Sequence, residues 1–172
     1  MANVTVDASE FAAFFSRTKQ AARGDFKREL ELFLQELGTK FLSIVQDEIM
    51  RRGIIDERQL LSGFQQGDKE GVWETSDGGL TLEVGTNVSY AAFVNDGHWT
   101  NPQGVEKRFV PGHWRGKRFI YDPNAKTGMV LKQKWVDGKH YWESAIRIFE
   151  KIFPELLDAK LQQWLDRYFG GL

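Results

Sequence analysis

The spacing of apolar residues predicts two long amphipathic helices, one toward each end of the chain. Over residues 25–52, apolar side chains recur every three or four positions and share one helical face. Residues 51–53, Arg-Arg-Gly, end this helix, because cations and then glycine favour a helix C terminus. The same spacing returns over residues 141–169. Pro154 lies inside this second helix and is predicted to kink it or divide it in two.

Between the helices, alternation of apolar and polar residues predicts two β-hairpins. Residues 72–84 contain two alternating segments joined by Asp-Gly-Gly, a strong turn sequence. In the second hairpin, residues 117–122 are predicted to pair with residues 129–135. Pro, Asn and Gly within residues 123–128 are typical of the connecting loop.

Three shorter elements complete the prediction. Residues 7–10 have the spacing of a helix capping box, which predicts a short helix over residues 11–24. Residues 60–66 are predicted to form a weak strand. Residues 90–94 are predicted to be a short helical or irregular segment that leads into an Asn-Asp-Gly turn.

Together these elements predict an α+β fold in a single domain of 172 residues. An antiparallel β-sheet is covered on one face by two long helices, and a basic β-hairpin is inserted before the last helix. The predicted segments are a short N-terminal helix or arm at 1–24, a long helix at 25–52, the sheet with a Tyr-Ala motif at 53–100, the inserted hairpin at 101–140 and the C-terminal helix at 141–169.

The net charge of −1 conceals a strong asymmetry along the chain. Residues 105–140 carry nine Lys/Arg and three Asp/Glu, a local balance of +6, so the rest of the chain carries −7. This separation of basic from acidic residues is informative about binding partners, and it does not determine the fold.

The composition excludes several classes of site. The chain has no cysteine, which rules out disulfides, iron–sulfur clusters, thiolate zinc sites and cysteine nucleophiles. No stretch approaches the roughly 18 apolar residues that a membrane span requires, so no membrane partner is expected. Asp7 and Glu10 stand where a signal peptide would carry lysines, so export is not expected.

Catalytic motifs are absent: there is no phosphate-binding loop, dinucleotide fingerprint, His-Glu-x-x-His or Gly-x-Ser-x-Gly. His98, His113 and His140 could meet Asp96 or Asp137 around a divalent metal in a metal-dependent hydrolase. The favoured alternative is that these histidines bind the backbone at loop tips. No cofactor, metal site or enzymatic activity is therefore predicted.

Two pairs of neighbouring carboxylates are interpreted as solvated surface groups. They are Asp47 with Glu48, near a helix end, and Asp56 with Glu57, in the loop beyond it.

The predicted inserted hairpin mixes cations with aromatic residues. Trp, Tyr and Arg dominate protein binding sites, which favours an interface with neighbouring subunits or another protein. The same mixture can bind nucleic acid, and a solvent-facing hairpin with lysines along its edges is a third interpretation. The candidate interface residues are Trp114, Arg115, Lys117, Arg118, Phe119, Tyr121, Lys132, Lys134 and Trp135.

The order of these features resembles the minor tail-component or neck proteins of lambda-like tailed bacteriophages. In that family a long helix and a β-hairpin precede the motif Tyr-Ala-x-Tyr-Val-Glu-x-Gly-Thr, and Pro-Phe-Leu-x-Pro-Ala opens the C-terminal helix. Residues that match these motifs or occupy their packing positions are Tyr90, Ala91, Phe93, Val94, Gly97, Tyr141, Trp142 and Ala145.

The resemblance implies a structural protein of the virion neck or tail, made in the host bacterial cytoplasm. It implies a ring of identical subunits, expected to be a hexamer, that completes the neck or tail and joins the head connector to the tail. The implied partners are the head-connector protein, the tail-tube or tail-terminator protein, and DNA that passes through the lumen. The alternative function is a nucleic-acid-binding module that uses the basic aromatic hairpin.

Overall fold

The computed structural model describes residues 3–9, 26–54 and 58–169. The chain divides into two compact units. Unit 1 comprises residues 1–92 and 140–172, and unit 2 comprises residues 93–139. The assignment of all 172 residues to one domain stays a prediction. The helix predicted over residues 11–24 lies outside the described residues.

The elements in chain order confirm an α+β fold with antiparallel sheets and two long helices. They are β1 (Asn3–Asp7), α1 (Phe26–Arg51), α2 (Gln59–Ser62), β2 (Gly71–Ser76), β3 (Thr81–Thr86), α3 (Ala91–Asp96), β4 (Gly97–Trp99), β5 (Lys107–Arg115), β6 (Arg118–Tyr121), β7 (Gly128–Lys132), β8 (Trp135–Asp137) and α4 (Tyr141–Phe169).

The sheet of unit 1 has the antiparallel order β1–β3–β2. Its β2–β3 hairpin confirms the prediction for residues 72–84. One face of β3 buries Leu82 and Val84, and helix α1 packs against this strand. A Cβ at Gly38 of α1 would lie 2.5 Å from the Leu82 side chain and 3.0 Å from Trp73, so glycine permits the close approach of helix and sheet.

Strand β1 is absent from the sequence prediction, which placed only a helix or arm at the N terminus. It pairs with β3 from Asn3↔Gly85 to Asp7↔Thr81. The Asp7 carboxylate accepts a hydrogen bond from the Ser9 backbone N–H at 2.8 Å, the two-residue spacing of an Asx-turn.

An aromatic cluster fills the core of unit 1. Phe41 of α1 contacts Trp142 and Phe149 of α4 edge to face, with ring centroids 5.2 and 5.4 Å apart. Phe64 stacks on Trp142 at 5.7 Å and meets Tyr141 edge to face at 6.0 Å. Offset and edge-to-face geometries are those that aromatic quadrupoles favour, so the two long helices are joined by specific ring contacts.

One buried hydrogen bond connects the two family motifs. The Tyr141 hydroxyl donates to the Ala91 carbonyl oxygen at 3.2 Å, across fifty positions of sequence. Both residues are buried, with exposed fractions of 2% and 4%. The start of α4 is therefore tied to the residues from which unit 2 departs.

The weak strand predicted over residues 60–66 is wrong. The chain forms the short helix α2 and then turns, with the Gly63 N–H donating to the Gln59 carbonyl at 2.9 Å. Leu60 and Phe64 are both buried. Their spacing of four places them on one side of a helical turn, and burial of both residues favours this turn over an extended strand.

Helix α4 continues through Pro154. Of the two predicted outcomes, a kink or a division, the division into two helices is therefore wrong, and the kink stays a prediction. Pro154 is exposed. The missing N–H removes one intrahelical hydrogen bond, and burial of Trp142, Ala145 and Phe149 holds the preceding turns in place.

Glu48 is buried and ion-paired, which corrects its interpretation as a solvated surface group. Its carboxylate accepts hydrogen bonds from Arg51 at 2.7 Å and from Arg52 at 3.1 and 3.2 Å. The hydrogen bonds from Arg51, followed by those from Ser144 and Arg52, lower the pKa of Glu48 to about 2 against the cost of burial. Asp47 is exposed, and the second carboxylate pair, Asp56 and Glu57, lies outside the described residues.

Unit 2 is organised around the nine-residue strand β5. The N-terminal half of β5 pairs with β7, and its C-terminal half pairs with β6. The predicted pairing of residues 117–122 with residues 129–135 is therefore wrong, because each segment pairs with β5 instead. Gly116, with φ of +63°, permits a two-residue turn between Arg115 and Arg118, a Gly-X turn that sequence analysis missed.

A separate two-stranded ladder, β4–β8, contains Trp99 opposite Trp135. Their rings meet edge to face at 5.4 Å. Asn101 is buried, and its amide donates to the Leu131 carbonyl at 3.0 Å, which ties the segment after β4 to β7.

We expect Tyr141→Phe to lower the free energy of unfolding by about 1–2 kcal/mol, because the buried hydrogen bond from the Tyr141 hydroxyl to the Ala91 carbonyl would be lost. Urea denaturation measures the change. Tyr121→Phe is the control, since Tyr121 is 63% exposed, and we expect it to have no effect. Equal stability of the two variants would contradict the role of the bond.

Acidification is expected to destabilise the protein through Glu48. Its pKa is about 2 in the folded protein and 4.5 in the unfolded chain, so its contribution is complete above pH 4.5 and is lost as pH falls toward 2. We expect Glu48→Gln to cost about 2 kcal/mol at pH 7, and the difference from wild type to shrink below pH 4.5. Urea titrations at a series of pH values measure it.

Asp47→Asn is the matched control, since Asp47 is the exposed neighbour. A pH-independent loss in Glu48→Gln, or an equal loss in Asp47→Asn, would show that the ion pairs do not supply this stability.

Candidate functional site

Unit 2 is strongly cationic. It carries nine Lys/Arg and four Asp/Glu, a balance of +5. Eight of these cations are exposed and, within the part of the chain that the structure describes, form no ion pair with an acidic side chain. They are Lys107, Arg108, Arg115, Lys117, Arg118, Lys126, Lys132 and Lys134. Their charge is therefore directed to solvent.

Two rows of side chains on β5 and β7 form a cationic and apolar surface. Lys107 lies directly opposite Lys132, and Phe109 lies directly opposite Val130. Directly opposite residues share a face, and residues two apart on a strand lie on the same side. All four side chains are exposed, Phe109 by 56% and Val130 by 58%. We call these four residues the Phe109 face.

The glycine opposite Pro111 supports the Phe109 ring. A Cβ at Gly128 would lie 2.6 Å from the ring of Phe109, so the ring covers the glycine backbone. This contact fixes one side of the ring while the other faces solvent.

The β5–β6 hairpin repeats the same combination of cations and aromatics. Arg115 lies directly opposite Arg118 next to the turn. Trp114 meets Phe119 edge to face at 5.3 Å, and Trp114 is 59% exposed. Like charges directly opposite each other destabilise a sheet, so these arginines are not placed there for the stability of the hairpin.

The structure divides the nine predicted interface residues among three places. The β5–β6 hairpin carries Trp114, Arg115, Lys117, Arg118, Phe119 and Tyr121, β7 carries Lys132, and the β4–β8 side carries Lys134 and Trp135. The Lys134 carbonyl accepts from the Thr100 N–H at 2.9 Å beside this ladder. Lys107, Phe109 and Val130 are not among the residues that the sequence pattern indicated.

The residues predicted to pack through the family motifs differ in burial. Ala91, Tyr141, Trp142 and Ala145 are buried in the core of unit 1. Tyr90 and Val94 are half-buried. Gly97 has φ of +88°, and a Cβ there would lie 2.6 Å from the Val136 carbonyl oxygen, so glycine is required. Phe93 lies outside this packing: it is 57% exposed, with its ring 5.8 Å from His98.

The described residues show no metal site that includes the three histidines. Among residues 3–9, 26–54 and 58–169, no group of three His, Asp or Glu side chains is placed to hold a metal ion. The His98 ring nitrogen Nδ1 lies 3.4 Å from the Phe93 carbonyl, and His140 lies 4.0 Å from Glu143. For His98, this contact agrees with the backbone-binding interpretation.

Neither long helix could cross a bilayer. Over their described residues, both α1 and α4 lack a sufficiently long apolar stretch.

Comparisons with known proteins relate the chain to phage tail components. The family model described as "Bacteriophage HK97-gp10, putative tail-component" matches residues 10–97. The phage-like element PBSX protein XkdI of Bacillus subtilis is 49% identical over 87% of this chain and 91% of its own length. A second protein of that organism, named "Uncharacterized protein YqbI", is 46% identical over 91% of this chain and 95% of its own length. No solved structure is significantly similar to the chain.

We expect Lys132→Glu to stabilise unit 2, because it would replace like charges opposite Lys107 with an ion pair. Cross-strand pairs of opposite charge contribute up to about 1 kcal/mol, and salt screens them. Thermal unfolding at low and high salt measures the gain. Lys126→Glu, in the loop before β7, is the control. An equal gain from Lys126→Glu would show that net charge, not the opposed pair, is responsible.

Proposed function

Because the chain belongs to the HK97 gp10-like family of phage tail components, we propose that it is a structural neck or tail-completion protein. It assembles as a ring of identical subunits, expected to be a hexamer, and joins the head connector to the tail. Its partners are the head-connector protein and the tail-tube or tail-terminator protein. The function lies in docking, and the proposal includes no catalytic step.

The observation that carries this proposal is the exposed cationic and aromatic surface of unit 2. A balance of +5 in unit 2 leaves −6 on the rest of the chain. Two copies can therefore attract each other through different parts of their surfaces. A contact between unlike patches is heterologous, and it closes into a ring when the rotation between copies permits.

The similar proteins support a structural role in a phage or a phage-like element. The protein from the phage-like element matches almost from end to end, so the comparison includes unit 2 as well as the segment covered by the family model. A neck or tail position places this chain in the virion, with DNA passing through the lumen of the ring.

A nucleic-acid-binding module is the alternative function. The opposed arginines beside the exposed Trp114 favour it, since cations can follow a phosphate backbone while an aromatic ring stacks on bases. The acidic balance of the rest of the chain would repel the same ligand, so we place it second.

We expect the purified protein, alone or with isolated tails, to form annular particles visible by negative-stain electron microscopy. Sedimentation should show the oligomers dissociating as salt rises, because exposed charges are screened. Lys117→Glu/Arg118→Glu should weaken assembly more than the matched reversal Arg147→Glu/Lys151→Glu on the exposed side of α4.

A protein that stays monomeric with tails and connectors would overturn this proposal. If that monomer instead binds duplex DNA with an affinity that falls steeply in salt, the nucleic-acid function replaces it.

A further inference from the structure

The two three-stranded sheets of the protein carry opposite charges. Strands β1, β2 and β3 contain three acidic residues, Asp7, Glu74 and Glu83, and no Lys or Arg. Strands β5, β6 and β7 contain five Lys/Arg and no Asp or Glu. Each sheet thus presents a single sign of charge.

The acidic side chains of the first sheet lie on its outer face. Glu74 lies directly opposite Glu83, which lies directly opposite Thr5 on the other side. Glu74 and Thr5 are exposed and Glu83 is half-buried, while Leu82 and Val84, the neighbours of Glu83 along β3, are buried on the opposite face. We call Thr5, Glu74 and Glu83 the acidic row.

The Phe109 face has the complementary pattern. Its two lysines lie directly opposite each other, just as the two glutamates of the acidic row do. Opposed like-charged residues have Cβ atoms about 5 Å apart and destabilise the sheet that contains them. Lys107 and Lys132 are exposed and, within the described residues, form no ion pair with an acidic side chain, so acids of another molecule can reach both.

We propose that the Phe109 face of one copy docks on the acidic row of a second copy of this chain. Lys107 and Lys132 then meet Glu74 and Glu83, and Phe109 and Val130 bury their exposed surface beside these ion pairs. The inference rests on the proposed self-assembly and names the two surfaces that carry it. The contact joins different faces, so each subunit uses both.

A second copy fits the Phe109 face better than a nucleic acid does. The acidic row is present on the same chain. Every copy of the protein therefore carries both surfaces of the contact. Val130 also offers a branched aliphatic surface where base stacking would require a flat ring. Burial of Phe109 and Val130 contributes a hydrophobic component to the contact that salt does not screen.

Cysteine cross-linking of full-length chains tests the contact, because the protein contains no cysteine of its own. Glu74→Cys is mixed with Lys132→Cys under mild oxidation, and disulfide-linked dimers are quantified over time. We expect them to form about tenfold faster than in the matched mixture of Glu150→Cys with Lys132→Cys, because docking raises the local concentration of the two thiols. Glu150 is exposed on α4.

Charge reversal supplies an independent measurement. Lys107→Glu/Lys132→Glu should weaken self-association, as should Glu74→Lys/Glu83→Lys, and the variant that combines all four reversals should recover it. If a double variant lost self-association only because it misfolded, the two further substitutions would not restore self-association.

The possible failures are distinct. If wild-type rings form but the two cysteine mixtures cross-link at the same rate, the docking surfaces are wrong and the proposed function stands. If neither oligomers nor preferential cross-links form, both proposals fail. If Lys107→Glu/Lys132→Glu loses affinity for a duplex DNA probe and the acidic reversals have no effect on self-association, the Phe109 face binds nucleic acid instead.

Discussion

The hydrogen bond from Tyr141 to Ala91, within a cluster of aromatic rings, is the constraint on which the rest of unit 1 depends. It connects the end of the sheet region to the first residue of α4, and Phe41 and Trp142 hold that helix against α1. Both motifs that suggested a phage tail component meet at this point. Because this hydrogen bond is buried, it fixes the first residue of α4 against the residues that precede unit 2.

The sequence predicted the long helices and the first hairpin because their patterns are long and regular. Both helices extend over more than twenty-five residues, and Asp-Gly-Gly is a strong turn signal. Residues 60–66 were misassigned because two apolar residues four apart, Leu60 and Phe64, suit a helical turn as well as a strand. Strand β1 was missed because it is only five residues long and its partner, β3, lies about eighty residues away.

The candidate site was less predictable because its arrangement depends on strand pairing. Sequence analysis identified the cationic, aromatic segment but joined β6 to β7, whereas both strands pair with β5. No strand was predicted over β5, since Pro111 and Gly112 do not favour a strand interior. Without that register, the opposition of Lys107 to Lys132 and of Phe109 to Val130 could not be inferred. The composition indicates the charge of this surface. The positions of its side chains relative to one another are known only from the pairing of β5 with β6 and β7.

The distribution of charge separates the requirements of folding from those of assembly. Glu48 is an acid placed for stability: it is buried, and hydrogen bonds from Arg51, Ser144 and Arg52 hold its pKa low. Lys107, by contrast, faces Lys132, a residue of its own sign, which lowers the stability of the isolated unit 2. Selection for folding alone would favour opposite charges at those positions. The opposed lysines on β5 and β7 therefore agree with a surface whose favourable partner is another molecule.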